Sequence, residues 1–478
     1  MEFLTKPHRL PMAGAFLLTA ILAGACSHPD NTLDTQKNTS GSATTPALAK
    51  DPPVVVDAEV PASLPSAYDA ALGQFVVHEW GTLTNVVASD GHLLSGLHHE
   101  EDDLPGFVAD RMAQAQQTPM IVHQKMETPV TYFYSPHPRT VRVNVRFVKG
   151  IFTQWFPYVQ NTEPNLFLTN PMDPSSIVDP WISSAVPISE QCELRKADGV
   201  IAGLLDWGSV KILGPNETPT LAGPTTDTNW DFARATKANA LQVHVGNRDY
   251  HEKFLFYRGT GNFNLPLAAT TTEDAVKLTN LDAAEDMRDV FVLNVTSTGA
   301  GFSLAGNAGP SQSLSAKIPA PDLPLDVFKK ALGQALVKSL LAQGLYADEA
   351  RAMVATWERS YFLTPGVRLL YLLPQTHTDK IIPLQIDPAP DALLRVMVIR
   401  VELTTPALER RVDALLKLLT VPATREEGRK GLLAHGRFTE PYLAGAIERA
   451  QTAADKAAGK ALHEEIRAKY RWAPTALQ

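Results

Sequence analysis

The chain has 478 residues, 44% of them hydrophobic, and a formal net charge of −8. That length exceeds what one core organises and points to two or three domains. The acidic balance, with no Lys/Arg cluster set against it, argues against nucleic acid or an anionic membrane surface as the main partner and makes cations the more natural one.

Lys6 and Arg9 precede the uncharged run Met12 to Ala25, and Cys26 follows. Basic region, apolar region and small-residue site in that order describe a signal peptide. The run is shorter than the ~20 residues a membrane-spanning helix needs. Leu22-Ala23-Gly24-Ala25-Cys26 resembles the lipobox of bacterial lipoproteins, in which the cysteine sulfur receives diacylglycerol before cleavage on its N-terminal side. It departs from the pattern where Ala23 stands in the place usually held by Leu. Ala23-Gly24-Ala25 also reads as an ordinary A-x-A cleavage site, so a soluble periplasmic or secreted protein is the alternative. Lipidation of Cys26 is the favoured reading, and Ser27 after it fits delivery to the outer membrane. If Cys26 is acylated, Cys192 is a lone thiol; if it is free, the two can bridge.

Residues 26–73 are rich in Ser, Thr, Pro and Asp without an apolar period, the composition of a disordered tether. Such a segment would hold the folded part ~35–40 Å from its anchor. Phe75-Val76-Val77 opens a strand, and 130–134 and 140–148 are further strands joined by the turn Ser135-Pro136-His137-Pro138. Val141, Val143, Val145 and Phe147 alternate with Arg142, Asn144 and Arg146, the period of a half-buried strand. The segments 241–245, 252–258 and 289–295 repeat the signal, with Pro/Gly/Asn/Thr loops between.

After Pro319-Ala320-Pro321 the period becomes helical. Segments 325–343 and 347–360 read as a helix pair broken at Gly344; 367–373 and 393–401 are two apolar strands able to join the N-terminal sheet. Thr405 caps a helix with Pro406 in its first turn, and Thr439-Glu440-Pro441 opens a longer one toward Tyr470. The expected fold class is α+β: an antiparallel β-rich, sandwich-like N-terminal domain over 74–318, then a mostly helical C-terminal region over 319–478 with two strands.

The chain has no G-x-S-x-G elbow, S-x-x-K, Walker A or dinucleotide motif. None of its four His-Glu dipeptides has the second histidine a zincin helix needs; those positions hold Thr82, Asp103, Leu255 and Arg467. What remains is a concentration of ligand-type residues between 78 and 127: His78-Glu79, His92, the run His98 to Asp103, His123 and Glu127. Mixed imidazole and carboxylate ligands suit Zn, Mn or Fe, whereas a solvated acidic loop is the plain alternative. Neighbours on a regular strand point to opposite faces. His78 and Glu79 therefore serve one site only if the strand ends or bulges there, which Gly81 permits; the bland alternative is a hydrogen-bonded His78 beside a core Trp80. His244, His251 and Arg258 on nearby strands are further candidates for a pocket.

The run Phe75 to Thr84, FVVHEWGTLT, resembles the HEWGT(F)T signature of a family of uncharacterised exported proteins of myxobacteria and planctomycetes. Further similar stretches are His99-Glu100-Glu101 before Leu104-Pro105, Lys125 to Val130 running into Tyr132-Phe133-Tyr134, Glu252 to Gly259, and Arg368 to Pro374. The resemblance implies no activity, cofactor or substrate. It singles out His78, Glu79, His99, Glu100 and Glu127 as the positions to examine first.

Two functions fit. One is a cell-envelope lipoprotein, held to the membrane through Cys26, that serves as a binding or structural surface module for a protein or glycan partner. The alternative is a hydrolase dependent on a divalent metal such as Zn, with a site drawn from His78, Glu79, His99, Glu100 and Glu127, the metal activating a water and a carboxylate taking its proton.

Overall fold

The computed structural model describes residues 73–98, 104–111, 122–163, 202–223 and 228–469. The leader, Cys26, nearly all of the tether, Cys192, His99 and Glu100 lie outside the described residues. The first half supplies β1 (Val76–Val87), β2 (Ala109–Asp110), β3 (Gln124–Tyr134), β4 (Arg139–Phe147), β5 (Gly150–Phe156), β6 (Asn161–Glu163), β7 (Gly203–Ile212), α1 (Thr228–Arg234), β8 (Leu241–Val245), β9 (Arg248–Glu252) and β10 (Leu255–Gly261). Then come β11 (Leu267–Thr271), β12 (Ala275–Asn280), β13 (Met287–Val295), β14 (Ala300–Ala308), β15 (Ser313–Lys317), α2 (Leu325–Ala342), α3 (Ala347–Trp357) and β16 (Gly366–Leu373). The remainder is α4 (Gln375–Ile381), β17 (Leu384–Asp387), β18 (Ala392–Leu403), α5 (Pro406–Leu418), α6 (Arg425–Leu433), α7 (Thr439–Arg449) and α8 (Ala453–Lys469).

Nine strands form one mixed sheet in the order β14-β13-β16-β18-β1-β3-β10-β5-β2. It is mixed because β1 runs parallel to β18 and antiparallel to β3. A six-stranded sheet runs β17-β4-β7-β8-β9, with β6 beside β7, and β11-β12-β15 make a third. One face of the large sheet packs on the two smaller sheets, through Val77, Leu83 and Ile399 against Val143, Leu205, Val243 and Leu278. Its other face packs on α1, α2 and α3, through Trp80, Val130 and Val398 against Trp230, Phe328, Leu336 and Trp357. A third core joins the end of β1 at Val86 to α5–α8.

Local signals hold where period and burial agree. In β4, Val141, Val143, Val145 and Phe147 are buried while Arg142 and Arg146 are exposed, as a strand with one wet face requires. Helix α5 begins where Thr405 accepts a hydrogen bond from the Leu408 amide at 3.2 Å, with Pro406 in its first turn. Gly344 closes the α2 end with φ of 103°, a backbone that favours glycine.

The expected fold class, a sandwich-like antiparallel N-terminal domain followed by a mostly helical C-terminal region with two strands, is corrected. The C-terminal stretch holds three strands, and two of them, β16 and β18, stand between β13 and β1 in the main sheet. The physical reason is burial. β18 is inside on both faces from Arg395 onward, so it sits in the middle of a sheet as a near-continuous apolar run does. The described residues accordingly belong to one compact unit.

Two helical details also differ from expectation. The helix opened at Thr439 ends at Arg449, and α8 starts afresh with the Thr452 hydroxyl accepting from the Asp455 amide at 3.0 Å. Helix α6 escapes the sequence pattern because of Gly428 and Gly431, which are there for close packing: a Cβ on Gly428 would sit 2.7 Å from the Leu415 carbonyl oxygen. Since β1 has one neighbour from each half of the chain, a protein truncated after residue 318 is expected not to fold. Near-ultraviolet circular dichroism during heating checks this, and a cooperative melt of that fragment contradicts it.

Candidate functional site

Every residue of β1 is buried, so its polar side chains need partners inside the protein. Their directions are set by one irregularity. Trp80 pairs with Val130 and Thr82 with Glu127, so Gly81 alone faces both Thr128 and Pro129. That is a bulge on β3, and Thr128 adopts φ of 62° within it. A Cβ on Gly81 would lie 2.9 Å from the Pro129 Cα, so glycine is what lets the strands close. Past the bulge, Glu127 lies on the face of Thr82 and Thr84, whereas Thr131 stays on the face of Glu79.

His78 and Glu79 point to opposite faces, and each has its own partners. Glu79, 1% exposed, lies between the sheets. It accepts from Arg395 Nε at 2.7 Å, from the Thr131 hydroxyl at 3.0 Å and from the Tyr257 hydroxyl. Arg395 also donates to Asp379 at 2.9 Å and to the Ile382 carbonyl at 2.7 Å. Burial by itself would lower the guanidinium pKa, but Glu79 beside it raises it above the ordinary value. Burial, then the Glu79 charge, push the Tyr257 phenol well above its usual 10, so it remains a hydrogen-bond donor.

His78 faces the helical layer. Its Nδ1 is 2.8 Å from Glu349 Oε2, and its ring lies 4.4 Å from that of Tyr346. Glu349 also accepts from the Tyr134 hydroxyl and from the Tyr346 backbone amide, each at 2.8 Å, closing the first turn of α3. The pair therefore docks that helix on β1.

Glu127 belongs to a third cluster. It accepts from the Thr84 hydroxyl at 2.6 Å and from Tyr361 and Arg437. Burial would raise its pKa, but Arg437 and then Arg400 hold the carboxyl far below the ordinary 4.5. Arg400 lies 4.5 Å from the Tyr361 ring centre and 5.0 Å from that of Phe438, where the second and third cores meet. Its Nε donates to Glu402 at 2.6 Å, and Arg368 Nε lies 2.9 Å from the same oxygen.

His98 makes a fourth pair, its Nδ1 2.8 Å from Glu440 at the start of α7. His463 and Arg467, one turn apart on α8, approach the same carboxylate at 3.5 and 3.8 Å. His92 and His123 are surface residues bonded to Asp90 and Asn262. His244 is bonded to Asp249 at the surface, and Arg258 is buried near the Phe256 ring.

Of the five residues singled out for a metal, His78, Glu79 and Glu127 stand in separate clusters and His99 and Glu100 lie outside the described residues. Among the described residues no group of three or more His, Cys, Asp or Glu side chains is arranged to hold a metal ion. The partners Glu349, Arg395, Arg400, Glu402, Arg437 and Glu440 went unrecognised in the sequence. The one signal available was the charges inside apolar runs: Arg395, Arg400 and Glu402 within LLRVMVIRVEL, and Arg368 within VRLLYLL.

No family model matches the chain, and no curated protein matches it. Among solved structures it is similar to the yeast delta-COP-I mu-homology domain, alone and complexed with a Dsl1 WxWxV peptide. Identity is 8% and the TM-score 0.23 in both, over 70% of this chain and 97 to 98% of those chains. At that TM-score the likeness carries no argument.

Two predictions follow from the clusters. Glu79→Met leaves Arg395 buried with only the half-exposed Asp379 as counter-charge, and is expected to cost about 3–5 kcal/mol in urea unfolding. Adding Arg395→Met should recover part of that loss, and additive costs would contradict the pairing. Because the Glu127 pKa is depressed by folding, its stabilisation is present above the ordinary 4.5 and is lost as pH falls below it. Glu127→Gln should flatten that acid-side loss in pH-dependent melts; an unchanged slope contradicts it.

Proposed function

We propose that this chain works in the bacterial cell envelope as a tethered module whose role is binding or structural, with a lipid on Cys26 as its anchor and the outer membrane as its location. The leader and the lipobox-like run support the placement. The observation that carries the role is the use of the motif residues: Glu79 is committed to Arg395, His78 to Glu349 and Glu127 to Arg437, each buried, the first tying β1 to its neighbour β18 within the large sheet and the other two tying that sheet to the helical segments. These residues act as framework. They do not converge on a surface where a substrate and a metal-bound water could meet. The similarity of FVVHEWGTLT to the HEWGT family of exported proteins fits this role, because that stretch and the similar ones around Lys125 to Tyr134, Glu252 to Gly259 and Arg368 to Pro374 are strands of the main sheet.

Mass spectrometry of protein recovered from a Gram-negative host is expected to find Cys26 as the first residue, bearing diacylglycerol, with the Cys26→Ser protein released from the membrane fraction. Intact Met1 on protein from the cytosol would overturn the placement. Elemental analysis tests the role separately. The purified protein should carry no stoichiometric divalent metal, and a bound metal lost in His78→Ala would restore the hydrolase reading.

A further inference from the structure

Away from the buried clusters, the loop after β7 and the segment leading into β8 enclose a cleft of about 630 Å³, a size that accepts a small molecule. Pro219, Leu221 and Ala238 contribute apolar lining, and Lys237 and Lys253 are its cations. The one carboxylate in the lining, Glu217, is turned to its own loop and accepts from the Gly214 amide at 2.7 Å, while behind the lining Asp348, which accepts from the Lys237 amide at 2.7 Å, and Glu252 favour the charged form of Lys253. The half-buried Lys253 ammonium donates to the Thr236 carbonyl, which uses one of its three hydrogens and fixes its position. Thr236, a residue of the cleft lining, is 5% exposed, and its hydroxyl, itself buried behind the wall, has no partner within the protein. A buried hydroxyl without a partner is costly.

The geometry points to a binding site for a small organic acid, its carboxylate on the Lys253 ammonium and Thr236 hydroxyl and its apolar body along Pro219, Leu221 and Ala238. A tethered ammonium beside a spare hydroxyl supplies donors for a carboxylate, and charge-assisted bonds of that kind are the stronger ones. The apolar wall gives affinity to a hydrocarbon body that a bare inorganic ion lacks. This deepens the binding reading above by naming what is bound.

Isothermal titration of the purified full-length protein with octanoate and with octanamide tests it. Octanoate should bind saturably, octanamide about tenfold more weakly, and octanoate should lose about tenfold in Lys253→Met and a few-fold in Thr236→Val. Equal affinity for acid and amide overturns the anion site while leaving a binding module standing. Absence of saturable binding of either probe up to about 10 mM overturns the cleft as a site. The acid and amide comparison on the unaltered protein decides the matter even if Lys253→Met fails to fold. Demonstrated turnover of an envelope substrate would sink the module reading without touching the octanoate result.

Discussion

A strand at the centre of a nine-stranded sheet has neither face in water, so each polar atom it carries must find a partner inside the protein. β1 carries His78, Glu79, Thr82, Thr84 and Asn85 in that position. An apolar strand could pack in several ways. This one restricts its neighbours to those that bring Arg395, Glu349 and the Glu127 cluster to the right places. Losing one partner of a buried pair leaves an uncompensated charge, which costs more than the intact pair contributes. The polar residues of β1 therefore act on specificity, favouring one assembly of layers over others that would bury similar apolar area.

The bulge between β1 and β3 distributes those residues. With Gly81 facing both Thr128 and Pro129, the chain direction of β3 is kept while its side-chain alternation is offset by one. Without that offset Glu127 would share a face with Thr131 and Glu79, and two carboxylates would meet between the sheets with Arg395 to share. With it, each carboxylate has its own guanidinium. Pro129 fits because a bulge is one of the few places inside a sheet that tolerates the missing amide hydrogen. The HEWGT stretch and the KMETP stretch are thus two halves of one mechanical joint.

Each cluster lies where layers meet. Glu79 and Arg395 sit between the sheets, His78 and Glu349 tie α3 to β1, and Glu127 with Arg437 and Arg400 stands between the second and third cores. His98 and Glu440 do the same for α7 and α8. Helices and sheets held by apolar contact alone can slide by a residue at modest cost, whereas a charge pair cannot. The accessible chemistry lies elsewhere, on the loops around β7 and β8, where binding groups are carried by segments that do not hold the framework together.

Much of the secondary structure was legible locally. The alternation of β4 and β8, the Thr405-Pro406 start of α5 and the break at Gly344 follow from period, cap and φ preference, which neighbouring residues determine. The polar positions 78, 79 and 127 also stood out, as ligand-type side chains gathered between 78 and 127 and as members of the HEWGT-like stretches. Their roles could not be read there, because a histidine and a glutamate serve a metal, a reaction or a buried pair equally well. Deciding between these takes the partner, and the partners come from far along the chain: Glu79 and Arg395 are 316 residues apart, His78 and Glu349 271. The place of β18 beside β1 was hidden for the same reason, since a run of apolar residues states that it will be buried but not against what. The sequence by itself determined the elements and marked residues whose polarity demanded an answer; only the tertiary structure, by bringing remote charges together in a medium too poor in water to solvate them singly, decided that the answer was pairing.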